Sequence, residues 1–150
     1  MHAKPPQIGA AFPMHQDYDY FPHRLNTMVA ATLYLDDADP SNGCLHVIPG
    51  SHRWGYIPHV HEGSHHLPPE EYPLEMGTPV PMRAGDLLIF SYLTVHGSTP
   101  NTSDRWRRML LFEYRSPLDS RVTDPEGAVG EGIIVRGVHP NPVPREGERY

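Results

Sequence analysis

The stretch TMVAATLYLDDADPSNGCLHVIPG, residues 27–50, places two apolar segments on either side of a turn. TMVAATLYL (27–35) is rich in β-branched and apolar residues, which favour a strand. It ends at DDADPSNG, whose Asp, Pro, Asn and Gly residues are typical of turns. The apolar pattern resumes in GCLHVIPG. The stretch therefore predicts strand, turn, strand.

The rest of the chain alternates in the same way between short apolar runs and turn residues. With 18 Pro and 13 Gly among 150 residues, short strands and many turns are favoured over long helices. Residues 51–77 contain no sustained period and predict a long surface loop. Further strands are expected at TPVPMRAGD (78–86, an edge strand), LLIFSYL (87–93, a buried strand) and RMLLFEYR (108–115), whereas GIIVRGV (132–138) is either a final strand or an ordered arm. We predict a single all-β domain over residues 1–150, a sandwich or jelly roll.

Charge and apolar pattern exclude several classes of function. The formal net charge is −6 and the Arg residues are scattered, so no nucleic-acid partner is expected. No apolar run is long enough to span a membrane, and the first residues do not resemble a signal peptide. We expect a soluble, cytoplasmic protein. The lone cysteine, Cys44, lies in an apolar stretch and is expected to be a small core residue.

Two histidines and one aspartate form a candidate metal site. His15 and Asp17 lie two residues apart in PMHQDYDYFPH (13–23), a spacing that projects both side chains to one side of an extended strand. With 11 His in the chain, this pair alone is weak evidence. His96 lies just beyond the predicted strand LLIFSYL and before a polar turn. Two imidazoles and one carboxylate on one face of a ferrous ion leave positions open for oxygen and a 2-oxo acid.

A 2-oxo acid with a second carboxylate also needs an anchor. Arg107 follows His96 by eleven residues and opens the predicted strand 108–115. Its planar guanidinium can grip a carboxylate through two parallel hydrogen bonds. The alternative for Arg107 is an ion pair with Glu113 or Asp86.

Two further groups of residues carry alternatives. Tyr18, Tyr20 and Phe21 adjoin the first ligands and either line a substrate entrance or pack in the core. The loop histidines His59, His61, His65 and His66 include an H-x-H spacing that can bind zinc. The loop lacks thiolates and strand context, so solvated histidines are favoured.

Four segments of the chain together resemble the phytanoyl-CoA dioxygenase family of Fe(II)- and 2-oxoglutarate-dependent oxygenases. These segments are HQDYDYFPH (15–23), LDDADPSNGCLHVIPGSHRWG (35–55), AGDLLIFSYLTVHGSTPNTSDRWRR (84–108) and GIIVRGVHP (132–140). The resemblance covers nearly the whole chain, and NGCLHVIPGSHR and TVHGSTPN are its most specific parts.

The resemblance implies a double-stranded β-helix, the cupin-like jelly roll. It also implies that His15, Asp17 and His96 bind Fe(II), that Arg107 pairs with a carboxylate of 2-oxoglutarate, and that Ser98 hydrogen-bonds the same carboxylate. A carboxylate ligand at Asp17 is typical of hydroxylases, whereas the related halogenases have a small residue there. The expected reaction is therefore hydroxylation of a small organic substrate, with decarboxylation of 2-oxoglutarate to succinate.

The chain departs from the family pattern in two ways. Members usually carry about a hundred further residues before the H-x-D motif, including helices that cover one sheet, so this chain is short at its N-terminus. Either the chain is a fragment of a longer protein, or a second copy or another partner covers the sheet. Leu33 stands where some members have a tryptophan that lines the cosubstrate pocket. The alternative function is a catalytically silent metal-binding jelly roll with a regulatory or assembly role, and a zinc hydrolase is a weaker third hypothesis.

Overall fold

The structure, a computed structural model, describes residues 1–122 and 132–138 of the chain, and these contain eight β-strands and no α-helix. Three short 3₁₀ turns lie at Asp17–Asp19, Ser51–Trp54 and Leu74–Met76. The strands are β1 (His2–Lys4), β2 (Phe12–His15), β3 (Val29–Tyr34), β4 (Leu45–Val47), β5 (Thr78–Val80), β6 (Leu87–Ser91), β7 (His96–Ser98) and β8 (Arg107–Tyr114). Within the described ranges, no helix is both long and apolar enough to cross a membrane.

The strands form two four-stranded antiparallel sheets. The first has the order β1-β8-β3-β6 and the second the order β2-β7-β4-β5. Tyr34 and Met109 of the first sheet pack against Leu45 of the second sheet and against Cys44, which directly precedes β4. The core therefore lies between the sheets. This arrangement is a jelly roll, and it confirms the predicted fold class and the core position of Cys44.

The central strand β3 shows why the segment 27–35 folds as it does. Ala30, Thr32 and Tyr34 are almost fully buried, because alternate side chains of a strand point to the same face. Val29 and Leu33 lie on the opposite face, where they are only partly covered. The predicted strand, turn, strand over residues 27–50 is therefore confirmed, as is the edge position of β5.

One detail of the predicted fold is wrong. Strand β6 is not buried but lies at the edge of its sheet, where Leu87 and Ile89 are more than half exposed. His96 lies beyond that strand, as predicted, and opens β7, because a turn at residues 92–94 carries the chain from one sheet to the other. Of the two alternatives for GIIVRGV (132–138), the final strand is not found.

Residues 51–77, between β4 and β5, form a loop, as predicted, and this loop contains two 3₁₀ turns. Unlike a typical surface loop, it is hydrogen-bonded to the rest of the fold through buried residues. The Ser51 hydroxyl accepts a hydrogen bond from the Val95 backbone, and the Leu67 backbone donates one to Met14. Both Ser51 and Leu67 are fully buried. These contacts fasten the loop beside β2 and β7.

The outer face of the first sheet is apolar and exposed. Ala31 of β3 lies between Ile89 of β6 and Phe112 of β8, and all three project outward. Leu87 and Tyr114 extend the same face, and the four larger side chains are 42–58% exposed. An apolar face of this kind is typical of an interaction surface or an aggregation liability.

We expect the chain to self-associate through this face, because association removes apolar surface from water. Analytical ultracentrifugation at micromolar concentration should show dimers or larger species. Replacing Ile89 and Phe112 by Lys should shift the protein to monomer, whereas Lys at the exposed Leu118, away from the sheet, should not. A monomeric wild-type protein would contradict this expectation.

Candidate active site

His15 and His96 face each other across neighbouring strands. They are register partners in the β2–β7 pair, and their ring centroids are 4.2 Å apart. The chain then turns, and Asp17 opens a 3₁₀ turn instead of continuing the strand as the spacing predicted. Asp17 Oδ1 lies 3.5 Å from His15 Nε2 and 3.7 Å from His96 Nε2. The structure thus brings the three predicted side chains together, all of them buried.

Backbone carbonyls orient both imidazole rings. His15 Nδ1 lies 2.9 Å from the Pro13 carbonyl, and His96 Nδ1 lies 2.9 Å from the Thr94 carbonyl. A carbonyl can only accept, so each Nδ1 carries the proton and each Nε2 keeps a lone pair. The two Nε2 atoms face the Asp17 carboxylate. Metal-binding histidines commonly make such a hydrogen bond through the ring nitrogen that does not bind the metal, and this bond fixes the orientation of the ring and its tautomer.

The charge states of the cluster also suit a cation. Burial lowers the pKa of His96 to about 4, so its ring is neutral near pH 7. Burial by itself would raise the pKa of Asp17, but the neighbouring His96 and His15 rings hold it below its usual value. Asp17 Oδ2 is buried and has no hydrogen-bond partner among the described residues. The residues present therefore fit a divalent metal ion.

The cluster opens into a cavity of about 580 Å³ that also contains Arg107 and Ser98. Arg107 is 2% exposed, and its Nε donates to the Gly43 carbonyl at 3.1 Å. Its Nη1 has no partner within the described part of the chain, and neither do the carboxylate oxygens of Glu113. The suggested ion pair between Arg107 and Glu113 is therefore absent there. Nη1 of the guanidinium is therefore available to a ligand, so the residues also fit a carboxylate.

The residue that lines the cavity from β3 is Thr32, not Leu33. A shift of one residue along a strand moves a side chain to the other face of the sheet. Leu33 lies on the outer face, so the expectation that it replaces a pocket-lining tryptophan is wrong. The Thr32 hydroxyl is buried without a partner in the described residues and faces the ligand space instead.

The aromatic residues after Asp17 divide between the two expected roles. Tyr20 and Phe21 line the cavity, and Phe21 also packs in the core cluster around Tyr92. Tyr18 packs against that cluster and hydrogen-bonds the Tyr92 carbonyl through its backbone. The cavity wall is therefore built partly by Tyr20 and Phe21.

Sequence reasoning missed the burial of two ionisable residues, Lys4 and Glu113, inside the barrel. The Lys4 ammonium donates to the Ala10 carbonyl at 2.6 Å and to the Thr99 carbonyl, and burial lowers its pKa to about 7. Glu113 lies on the inner face of β8 with Arg107, and burial, followed by the charge of Asp17, raises its pKa to about 8. Composition offers no signal for either burial, which depends on sheet register.

Gln16, between the two candidate ligands, connects the site to the long loop. Its amide nitrogen donates to the Gly55 carbonyl at 2.8 Å and to the Leu93 carbonyl at 2.7 Å. Its amide oxygen accepts from the Ile57 backbone at 2.9 Å. Gln16 is fully buried, so these bonds hold the loop, the turn before β7 and the ligand segment in one arrangement.

Comparison with known proteins finds similar sequences over most of the chain. A family model described as phytanoyl-CoA dioxygenase matches residues 1–109. The peroxisomal phytanoyl-CoA dioxygenase of Mus musculus is 33% identical over 141 residues, which cover 87% of this chain and 41% of the mouse protein. A probable alpha-ketoglutarate-dependent hypophosphite dioxygenase of Stutzerimonas stutzeri is 33% identical and covers 74% of this chain and 41% of its own length. The chain thus spans about two fifths of these curated relatives.

Among solved structures, EvdO2 from Micromonospora carbonacea var. aurantiaca superposes with a TM-score of 0.68. It is 28% identical in sequence, and the match covers 83% of this chain and 52% of that one. That structure is complexed with 2-oxoglutarate.

We predict that His96→Ala removes tight Fe(II) binding at the cluster, because two ligands do not hold the ion as three do. Metal analysis of anaerobically loaded and desalted protein should show one equivalent of iron fewer than wild type. His15→Ala and Asp17→Ala should behave alike. The exposed His52→Ala is the matched control and should retain the iron. Equal iron contents in His96→Ala and wild type would place the metal elsewhere.

We also predict that Glu113→Gln stabilises the metal-free protein at high pH. A carboxyl whose pKa is raised by folding contributes its full stability below the unfolded pKa and loses it as pH rises through the folded value. The free energy of unfolding of the variant should therefore equal that of wild type near pH 4.5 and exceed it by a margin that grows up to about pH 8. The gain in the free energy of unfolding should be on the order of 3 kcal/mol. Urea denaturation at several pH values measures it, and parallel pH profiles would show that Glu113 is not buried as described.

Proposed function

The chain belongs to the phytanoyl-CoA dioxygenase family, and on that premise we propose that it is a single-domain oxygenase that uses Fe(II) and 2-oxoglutarate. The proposed reaction is hydroxylation of a small organic substrate. One observation carries the proposal. Two imidazole Nε2 atoms and the Asp17 carboxylate converge at a cavity that also contains the unpaired Nη1 of Arg107.

In this proposal His15, Asp17 and His96 hold the iron on one side. Bound ferrous iron supplies oxygen activation, coupled to decarboxylation of 2-oxoglutarate to succinate and carbon dioxide. The protein contributes fixed geometry. The carbonyls of Pro13 and Thr94 keep both rings in the tautomer that presents Nε2, so the ligand atoms need little reorganisation when the ion binds.

Arg107 is the proposed anchor for the far carboxylate of 2-oxoglutarate. Its Nε is already held by the Gly43 carbonyl, which fixes the plane of the guanidinium and leaves Nη1 for the ligand. Ser98 is buried and lines the same cavity, two residues after His96, so its hydroxyl is the proposed second donor. A preorganised charged donor in a buried site binds a carboxylate strongly.

The substrate is proposed to enter the same cavity. Most of its lining is apolar, which favours an organic substrate with an apolar portion beside the metal; these residues include Ile8, Phe12, Phe21, Leu45, Phe90, Met109 and Leu111. The relatives are named for substrates as different as phytanoyl-CoA and hypophosphite, so family membership does not specify this one. A cytoplasmic location also remains a prediction, and the mouse relative is named as peroxisomal.

The alternative, a silent metal-binding jelly roll, requires the three metal-facing side chains but no cosubstrate. An unpaired guanidinium nitrogen buried beside them has no use in that hypothesis and costs stability, because a buried donor without a partner is unfavourable. The orientation of Arg107 therefore favours the oxygenase.

We predict that Arg107→Lys weakens 2-oxoglutarate binding by about 1.5 to 3 kcal/mol, or roughly 10- to 150-fold, because a lysine keeps the charge but loses the planar pair of donors. Calorimetric titration of the anaerobic Fe(II) protein measures this change. Iron content should stay at the wild-type level, since the metal-facing residues are unchanged.

The matched control is Arg105→Lys. Arg105 is exposed and paired with Asp39, outside the cavity, so its replacement should leave the titration unchanged. An unchanged affinity in Arg107→Lys, or no 2-oxoglutarate binding by the wild type, would contradict the proposal and favour the silent domain.

A further inference from the structure

A second cluster of metal-binding side chains lies outside the cavity. His61 Nε2 lies 2.9 Å and His65 Nδ1 2.6 Å from Oδ2 of Asp19. All three candidate ligand atoms lie within 4.8 Å of one another. The sequence favoured solvated histidines in this loop, but the fold brings two of them to a carboxylate from another segment. This cluster shares no residue with His15, Asp17 and His96.

The carboxylate is held rigidly. Its side chain is only 7% exposed, and Tyr56 donates its hydroxyl to Oδ1 at 2.6 Å. Oδ2 is thereby left to the two imidazoles. A carboxylate oxygen that is fixed in place and faces two ring nitrogens is a preorganised ligand.

Aromatic stacking orders the two histidines. The His61 and His65 rings stack with their centroids 4.4 Å apart. The Tyr20 ring also stacks with the His65 ring, with centroids 4.6 Å apart. The Tyr20 hydroxyl also donates to the His65 carbonyl at 3.2 Å. Exposed histidines in a loop ordinarily sample many rotamers, and these contacts reduce that freedom before any ion binds.

The neighbouring histidines do not belong to the cluster. His59 uses both ring nitrogens, since Nδ1 lies 2.7 Å from the Ile57 carbonyl and Nε2 accepts a hydrogen bond from the Gln16 backbone N–H at 2.9 Å. His66 Nδ1 lies 2.9 Å from the Leu67 carbonyl. The cluster therefore offers two imidazoles and one carboxylate, with an exposed side where water can complete the coordination.

We propose that Asp19, His61 and His65 form a second metal site, which binds a zinc-class divalent ion. Imidazole and carboxylate are ligands that zinc accepts, and three protein ligands plus water complete its usual four. The ion fastens the loop 51–77 to the turn Asp17–Asp19. The next residue, Tyr20, lines the cavity. This role is structural, and it does not depend on the chemistry proposed for the cavity.

The first test counts tightly bound Zn²⁺ by titrating metal-free protein against a chromophoric zinc chelator. Wild type should bind two ions and His96→Ala one, since the cavity cluster also accepts zinc. His61→Ala, whose side chain is 60% exposed and outside the core, should also bind one, and the combined variant none. His66→Ala is the matched loop control and should bind two. Asp19→Asn, which keeps the shape, should weaken the second ion at least about tenfold.

A second readout reports the loop directly. Glu62 lies between the two histidines and is exposed, so a glutamate-specific protease can cut after it. In the His96→Ala background, Zn²⁺ should slow this cleavage, and adding His61→Ala should abolish the protection. The proposal is overturned if folded His61→Ala binds as much Zn²⁺ as wild type, or if Zn²⁺ leaves the cleavage after Glu62 unchanged.

Discussion

The cross-strand pairing of His15 with His96 is the constraint on which the site depends. These residues are distant in the sequence, and only the antiparallel register of β2 with β7 places their rings 4.2 Å apart. A shift of one residue in that register would turn one ring away from the other. The carbonyls of Pro13 and Thr94 then fix each ring, so backbone geometry determines where the Nε2 lone pairs point. Asp17 needs only the following turn to reach them.

Several polar atoms in the interior of the barrel have no hydrogen-bond partner among the described residues, which costs stability. Asp17 Oδ2, Thr32 Oγ1 and Arg107 Nη1 are buried without partners in the part of the chain that the structure describes. Each such atom costs about 1–3 kcal/mol relative to a hydrogen-bonded one. The rest of the fold offsets this cost through the apolar contacts between the sheets and through the bonds of Gln16, which join the loop to the ligand segment. A metal ion and a carboxylate ligand would satisfy these atoms.

The sequence predicted the parts of the molecule that depend on local pattern. Apolar runs and turn residues located β3, β4, β5 and β8. Residue types, together with the family resemblance, pointed to His15, Asp17, His96 and Arg107, which the structure brings to one cavity. The errors concern burial and register. Leu33 and Thr32 cannot be assigned to faces until the strand register is known, and the exposure of Leu87 and Ile89 depends on the edge position of β6. The convergence of Asp19 with His61 and His65 depends on how a long loop folds back, which no local pattern encodes.

Formation of succinate from 2-oxoglutarate tests the central claim most directly. The purified protein, loaded anaerobically with Fe(II) and then exposed to oxygen, should form succinate in proportion to the oxygen consumed. Omitting iron should abolish the product, and so should replacing His96 by Ala. Wild-type protein that binds iron stoichiometrically yet forms no more succinate than the His96 variant, with a panel of organic substrates present, would contradict the account.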